Sequence, residues 1–318
     1  MEYGDKHILV LGAGASGIGA SWVLAQVGAH VVLNDYKPVT LPATEEGRLV
    51  SAGVEIITGR QDESLLDGVD RIVISPGISL DIPIVKAAQA RGIDVVSEVE
   101  LAYEVSKSPI VAVTGTNGKT TTTTLLTKVL EGSGKPVRVG GNIGDSLSEV
   151  AYSMPVGGFL VAELSSYQLE TIKHFRPIGA IMLNITPDHL ARHKTMENYI
   201  AAKERIFENQ LKSDYLVLNI DDSVVADMEH RAPSHILQIS QKQTVENGAY
   251  YANGQCYVVK NGVATAVIGD EDIHIPGSHN IENILTVIAL TYALGVPVVE
   301  IHRIISEFHG VEHRLERV

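Results

Sequence analysis

Residues 110–124, IVAVTGTNGKTTTTT, place an apolar run before a glycine-bounded loop that ends in lysine and threonine. An apolar strand over 110–113 that feeds such a loop and then a helix can wrap a β-phosphate in free backbone N–H groups. The lysine then reaches the terminal phosphates and the hydroxyl ligates Mg²⁺. Gly115, Thr116, Asn117, Gly118, Lys119, Thr120 and Thr121 are therefore candidates to bind ATP, with Thr120 a metal ligand. Val113 stands where the general GxxxxGK[ST] pattern has its first glycine, which narrows the kind of loop without changing its physics. Placed behind this loop, the threonines at 120–124 read as cap and ligand rather than helical filler.

An ATP site also needs acids and a metal shell. GFLVAELSSYQLE ends an apolar run at Glu163, placing a carboxylate at the C-terminal edge of a strand, where open α/β sheets bind ligands. AIMLNITPDH repeats the pattern, running out at Asn184 and then Asp188 and His189, so His189 is a candidate ligand beside the ATP loop. In TMENYIAAKERIFEN, 195–209, spacing by three and four puts Met196, Tyr199, Ile200, Ile206 and Phe207 on one helix face, with Lys203 among them. Either its stem packs while the amine reaches water, or the amine is buried in the site with a lowered pKa and open to modification. Periodicity leaves both readings standing.

A second glycine loop lies upstream. HILVLGAGASGIGASWVLAQVGAHVVLND, 7–35, sets Gly12, Gly14 and Gly17 at GxGxxG spacing between a strand and a helix, with Asp35 ending the next strand. Such a loop holds an anion at a helix start. The local pattern suits a dinucleotide, another nucleotide, or close packing alone.

The elements that must position these groups follow from periodicity. Strand-like runs at 7–11, 30–34, 54–58, 70–74 and 93–96 alternate with short helices, as in a parallel, doubly wound sheet. Glu98 to Val105 reads as helix, and the strand pattern restarts at 110, so a domain boundary is expected near 97, within about ten residues. Further strands are expected near 136–139, 158–162, 178–183, 215–219 and 235–239. Antiparallel strands with Asn-Gly turns at 253–254 and 261–262 follow, then helices from about 278 and 297.

Composition sets limits. A chain of 318 residues with 45% hydrophobic content suits about two globular domains, and its net charge of −13 disfavours nucleic acid as a partner. The start, MEYGDKHILV, does not read as a signal peptide, and the longest apolar stretch, from Ile284, is too short and interrupted to span a bilayer. A cytoplasmic protein with no membrane partner is expected. Cys256, the single cysteine, excludes an internal disulfide and reads as a small strand residue.

In order along nearly the whole chain, TGTNGKTT at 114–121, GGNIG at 140–144, ELSSYQLE at 163–170, LNITPDH at 183–189, YIAAKERIF at 199–207, HNIEN at 279–283 and HR at 313–314 resemble the ATP-dependent Mur amide ligases of bacterial cell-wall synthesis. GAGASG followed by LND, SPGI at 75–78, and ELSSYQLE look most like the members that add D-glutamate to UDP-N-acetylmuramoyl-L-alanine. The resemblance implies an α/β chain with a Rossmann-like UDP-substrate domain over 1–97. A central P-loop mononucleotide-binding domain with a small antiparallel sheet follows over 98–311, and 312–318 begins a linker.

It also implies roles. Gly14, Ala15, Ser16, Gly17, Asp35, Ser75, Pro76, Gly77, Ile78 and Ser165 would contact the UDP-substrate, and Lys119, Asn142, His189 and Lys203 would be catalytic. Asn280, Asn283 and Arg314, the last paired with His313, would join the ATP site. Two Mg²⁺ sites are implied, one on Thr120 and Glu163, the other on His189 and a carbamylated Lys203. Family members carry a further amino-acid-presenting domain, so the expectation for these 318 residues is a monomer that binds nucleotides with little turnover. A sister ligase using another amino acid, a P-loop ATPase without ligation, and a dehydrogenase are the competing readings.

Overall fold

In the computed structural model, which describes residues 3–311, the chain forms two compact units. One comprises the chain up to Lys107 together with Gly144–Met154 and Tyr167–Phe175; the other comprises Ser108–Ile143, Pro155–Ser166 and the chain from Arg176 onward. The first stretch of the first unit ends at Lys107, at the far margin of the expected boundary, and the unit also gathers two segments from later in the sequence, which the linear division did not include. Two buried acids on the helix Glu98–Val105 account for this. Glu98 Oε1 accepts from Ser146 Oγ at 2.5 Å and Ser148 N at 2.9 Å, and the Glu100 carboxylate accepts the N–H groups of Lys173, His174 and Phe175 at 2.7, 2.8 and 3.1 Å. A buried carboxylate needs such donors, so helix and segments come as a set.

The first unit holds β1 (His7–Leu11), β2 (His30–Asp35), β3 (Glu55–Thr58), β4 (Arg71–Ile74) and β5 (Asp94–Ser97), all parallel in the order β3-β2-β1-β4-β5. The run ILVL suits β1 because both sheet faces are covered: Ile8 and Val10 enter one core, Leu9 and Leu11 the other. The strand order reverses between β1 and β4, and the loops after those two strands carry the glycine motif and Ser75–Ile78.

The second unit holds β6 (Ile110–Thr114), β7 (Val137–Gly141), β8 (Phe159–Glu163), β9 (Gly179–Met182), β10 (Tyr215–Asn219), β11 (His235–Ser240), β12 (Gly248–Ala252), β13 (Gln255–Lys260) and β14 (Val263–Gly269). They form one nine-stranded sheet, β14-β13-β12-β11-β10-β9-β6-β8-β7. The antiparallel strands do not make a small sheet of their own, because β12 pairs in parallel with β11 and so extends the main sheet. Their turns are as expected: Asn253 and Gly254 take φ of 52° and 77°, Asn261 and Gly262 51° and 75°. The helices Lys119–Glu131, Ser278–Ala293 and Val298–Ser306 bury Leu125, Val129, Ile284, Ile288 and Ile301 in one core with Val111, Val113 and Ile181.

Cys256 lies in that core, and burial pushes its thiol up to about 12, leaving it inert. No helix among the described residues is long and apolar enough to cross a membrane.

Candidate active site

The strand order of the second sheet reverses between β6 and β9, and the loop after β6 is built for close approach. Gly118 takes a left-handed φ of 85°, and a Cβ there would lie 2.6 Å from Asn283 Oδ1; a Cβ on Gly115 would lie 2.8 Å from Leu183 Cβ. Only glycine fits either position. The residues after β9 hold the loop open. Thr116 N donates to Asn184 O at 2.9 Å and Asn117 N to Asn184 Oδ1 at 2.8 Å, while Asn184 Nδ2 donates to Asn117 O at 3.1 Å. Thr186 N donates to Thr116 Oγ1 at 3.0 Å, and the hydroxyl of Tyr199 lies 3.0 Å from the same oxygen.

Lys119 starts the following helix, and its Nζ donates to Gly115 O at 3.1 Å and Thr116 O at 2.8 Å, so the ammonium is held within the curve of the loop. The threonine run divides. Thr120 and Thr121 are half-buried on the first turn, whereas Thr122 and Thr123 are buried and the Thr124 hydroxyl bonds back to Thr120 O at 2.8 Å. The expected ligand role therefore stops at the first turn, because a helix rotates the later threonines toward the core or onto its own carbonyls.

Glu163 ends β8 and is 1% exposed. Its Oε1 accepts from Asn142 Nδ2 at 2.9 Å, and its Oε2 is buried without a hydrogen-bond partner. A buried carboxylate oxygen with no donor is the arrangement a cation repairs, so Glu163 fits a Mg²⁺ site. Among the described residues no three His, Cys, Asp or Glu side chains gather as a metal cage. A cation here would rest on a hydroxyl, one carboxylate and phosphate oxygens, as Mg²⁺ sites in nucleotide enzymes do.

Lys203, the ambiguous lysine, is 2% exposed. Its Nζ donates to Gly115 O at 2.8 Å and Thr114 Oγ1 at 3.3 Å, and lies 5.0 Å from the Tyr199 ring centre. Burial, then the Lys119 charge, lowers its pKa to about 7 against the opposing pull of Asp188. His189 sits in a left-handed conformation, φ 54°, with Nε2 3.4 Å from Asp188 Oδ2 and its ring 6.5 Å from that of Tyr199. Tyr199 is thus the shared neighbour of His189, Lys203 and Thr116, although its sequence signal was only that of an apolar helix position.

His193 is the residue sequence reasoning missed. It is buried, its Nε2 lies 2.9 Å from Ser166 Oγ, and its ring is 5.3 Å from Tyr199. The i,i+4 spacing from His189 was a signal available for it. Asn280 and Asn283 are both buried; Asn280 Nδ2 donates to Pro276 O at 2.7 Å and Asn283 Nδ2 to Asn280 Oδ1 at 3.2 Å, so the pair braces the helix start beside Gly118. Ser165 is half-buried two residues after Glu163. His313 and Arg314 lie outside the described residues.

In the first unit, the helix Ala15–Gln26 begins after Gly14 with no side-chain cap, leaving its first N–H groups to a ligand. A Cβ on Gly17 would lie 1.7 Å from Gly12 O, so this glycine permits helix and loop to touch. Ser75 N donates to Leu11 O at 2.9 Å and Ile78 N to Ser75 O at 3.0 Å, turning Pro76 and Gly77 at the strand end beside the glycine loop. Asp35 spans Ala13 N at 3.0 Å and Lys37 N at 2.9 Å, so it braces the loop as well as bordering it.

The chain matches two family models: Mur ligase middle domain over residues 113–291, and Mur ligase MurD-like, N-terminal domain over 6–97. It is 44% identical over 318 residues to a UDP-N-acetylmuramoylalanine–D-glutamate ligase of Thermoanaerobacter pseudethanolicus, covering 100% of this chain and 70% of that protein. A protein of the same name from Halalkalibacterium halodurans is 41% identical over 317 residues, with 100% and 69% covered. Among solved structures, the UDP-N-acetylmuramate:L-alanyl-gamma-D-glutamyl-meso-diaminopimelate ligase of Neisseria meningitides shares the fold with a TM-score of 0.65 at 22% identity, covering 97% of this chain and 99% of that one.

Proposed function

The chain belongs to the Mur ligase family, and on that premise we propose that it is the cytoplasmic ligase that joins D-glutamate to UDP-N-acetylmuramoyl-L-alanine with ATP. The terminal phosphoryl group passes to the alanyl carboxylate, the D-glutamate amine attacks the resulting acyl phosphate, and phosphate leaves. Such a reaction asks the protein mainly for positioning and charge neutralisation.

Lys119 neutralises the transferring phosphoryl group from the position its loop carbonyls hold, and Gly115–Thr121 supply N–H groups to the phosphates. Asn142 steers Glu163 and stands at the end of β7, ready to meet the reacting carboxylate. Thr120 and Glu163 are the residues for one Mg²⁺, and His189 with a carbamylated Lys203 for a second; bound there, the cations would neutralise phosphate oxygens. Asn280, Asn283 and Arg314 serve the adenine end, and Gly14–Gly17, Asp35, Ser75–Ile78 and Ser165 the UDP-substrate.

The single observation that carries this reading is the glycine loop braced by Asn184, with Lys119 inside it and an unpartnered Glu163 oxygen on the adjacent strand. A calorimetric titration tests the choice of substrate. Saturable binding of UDP-N-acetylmuramoyl-L-alanine with indifference to NAD is expected; saturable NAD binding with no response to the UDP-substrate would overturn the proposal.

A further inference from the structure

The second unit holds a cavity of about 320 Å³ well away from the ATP loop. Tyr215 and His235 line it, and they are the first residues of β10 and β11; the ATP loop follows the last residue of β6. These strands are parallel members of one sheet, so the cavity opens at the N-terminal edge and the loop at the C-terminal edge.

Its walls combine aromatic faces with positive charge. The Tyr215 and His235 rings meet edge to face at 5.7 Å, and Tyr292 from the helix Ser278–Ala293 joins them. Lys212 and Lys260 also line the cavity, both exposed, and neither has an ion-pair partner among the described residues. Asp214, the acid nearest Lys212 in sequence, is bound in two places to Arg176, at 2.6 and 2.9 Å. On the Lys260 side, Glu246 lies against the turn at Gly262 and forms no ion pair with either lysine. Two lysines without an ion-pair partner among the described residues, at one aromatic cavity, stand out in a chain of net charge −13.

We propose that this cavity is a binding site for a small planar aromatic anion, of one or two fused rings bearing a carboxylate, sulfonate or phosphate. The ring lies against Tyr215, His235 and Tyr292, and the anion meets Lys212 and Lys260. The volume is at the lower end of small-molecule pockets and suits a ligand of that size. The inference uses no residue of the proposed reaction, so the two stand or fall separately.

The test uses 2-naphthoate as probe, with 2-naphthol as the uncharged analogue and inorganic phosphate as the charge alone, read by protein-observed NMR. Naphthoate is expected to saturate with a Kd of about 1 mM or tighter, shifting resonances of Tyr292 and its neighbours, and to bind at least roughly threefold more tightly than naphthol. Saturating ATP should leave it in place. The double variant Lys212→Glu, Lys260→Glu should weaken it by roughly tenfold or more, and added salt should weaken it on the unaltered chain, which keeps the test independent of the variant's folding. Lack of saturation at about 10 mM, displacement by ATP, equal binding of naphthol, or indifference to both charge reversal and salt would each overturn the assignment.

Discussion

Placing the Lys203 amine in CO₂-equilibrated buffer across pH 6 to 9 probes the proposed second metal position most directly. With a pKa of about 7 in place of 10.5, the amine is about 90% neutral at pH 8, against about 0.3% for an unperturbed lysine. The buried site therefore presents roughly 300 times more nucleophile to CO₂ than a solvated lysine does. The geometry permits it: the acceptors facing Nζ, Gly115 O and Thr114 Oγ1, need only the two N–H groups of a neutral amine. With ¹³C-labelled bicarbonate, one protein carbamate resonance should grow from pH 6 to pH 8 and vanish in Lys203→Arg, whose guanidinium stays charged.

The same shift has a signature in stability. A base whose folded pKa is lowered binds its proton less well folded than unfolded, so in CO₂-free buffer stability should rise between about pH 7 and 10.5. Lys203→Met should remove that rise. A carbamate signal that persists in Lys203→Arg, or a Lys203 amine that titrates near 10 by NMR, would refute the reasoning.

Gly17→Ala forces a Cβ to within 1.7 Å of Gly12 O unless the helix moves, and is expected to lower stability by about 2–4 kcal/mol in urea unfolding and to weaken UDP-substrate binding more than ATP binding; an unchanged midpoint would show the contact is not constraining. Asn184→Ala removes two hydrogen bonds to the ATP loop and should raise the Kd for ATP by roughly tenfold with little effect on UDP-substrate binding, compared by calorimetry. Burial pushes the Glu98 carboxyl up, outweighing its serine hydrogen bonds, so its contribution to stability is complete at low pH and is lost as pH rises through the folded value. Glu98→Gln should therefore gain stability relative to the unaltered chain on going from pH 5 to pH 8; an equal difference at both pH values would contradict this.

The amino-acid sequence by itself determined the elements and their chemistry. Apolar runs bounded by glycines placed the strands, the GTNGKT loop pointed to a nucleotide phosphate site, and the periodicity around Lys203 marked a lysine on an apolar face, because these signals are local: they depend on neighbours within a turn or a strand. The tertiary structure decided what sequence separation conceals. Asn184 grips a loop nearly seventy residues upstream because β6 and β9 are adjacent, and Tyr199, read as packing, touches Thr116. Glu98 and Glu100 draw residues 144–154 and 167–175 into the first unit, and β12 joins the main sheet. The choice between a snorkelling and a buried Lys203 also belonged to this level. A helical stripe fixes only the direction in which a side chain points, whereas its burial, its pKa and the atoms it meets depend on which distant strand and loop the sheet order brings against that stripe.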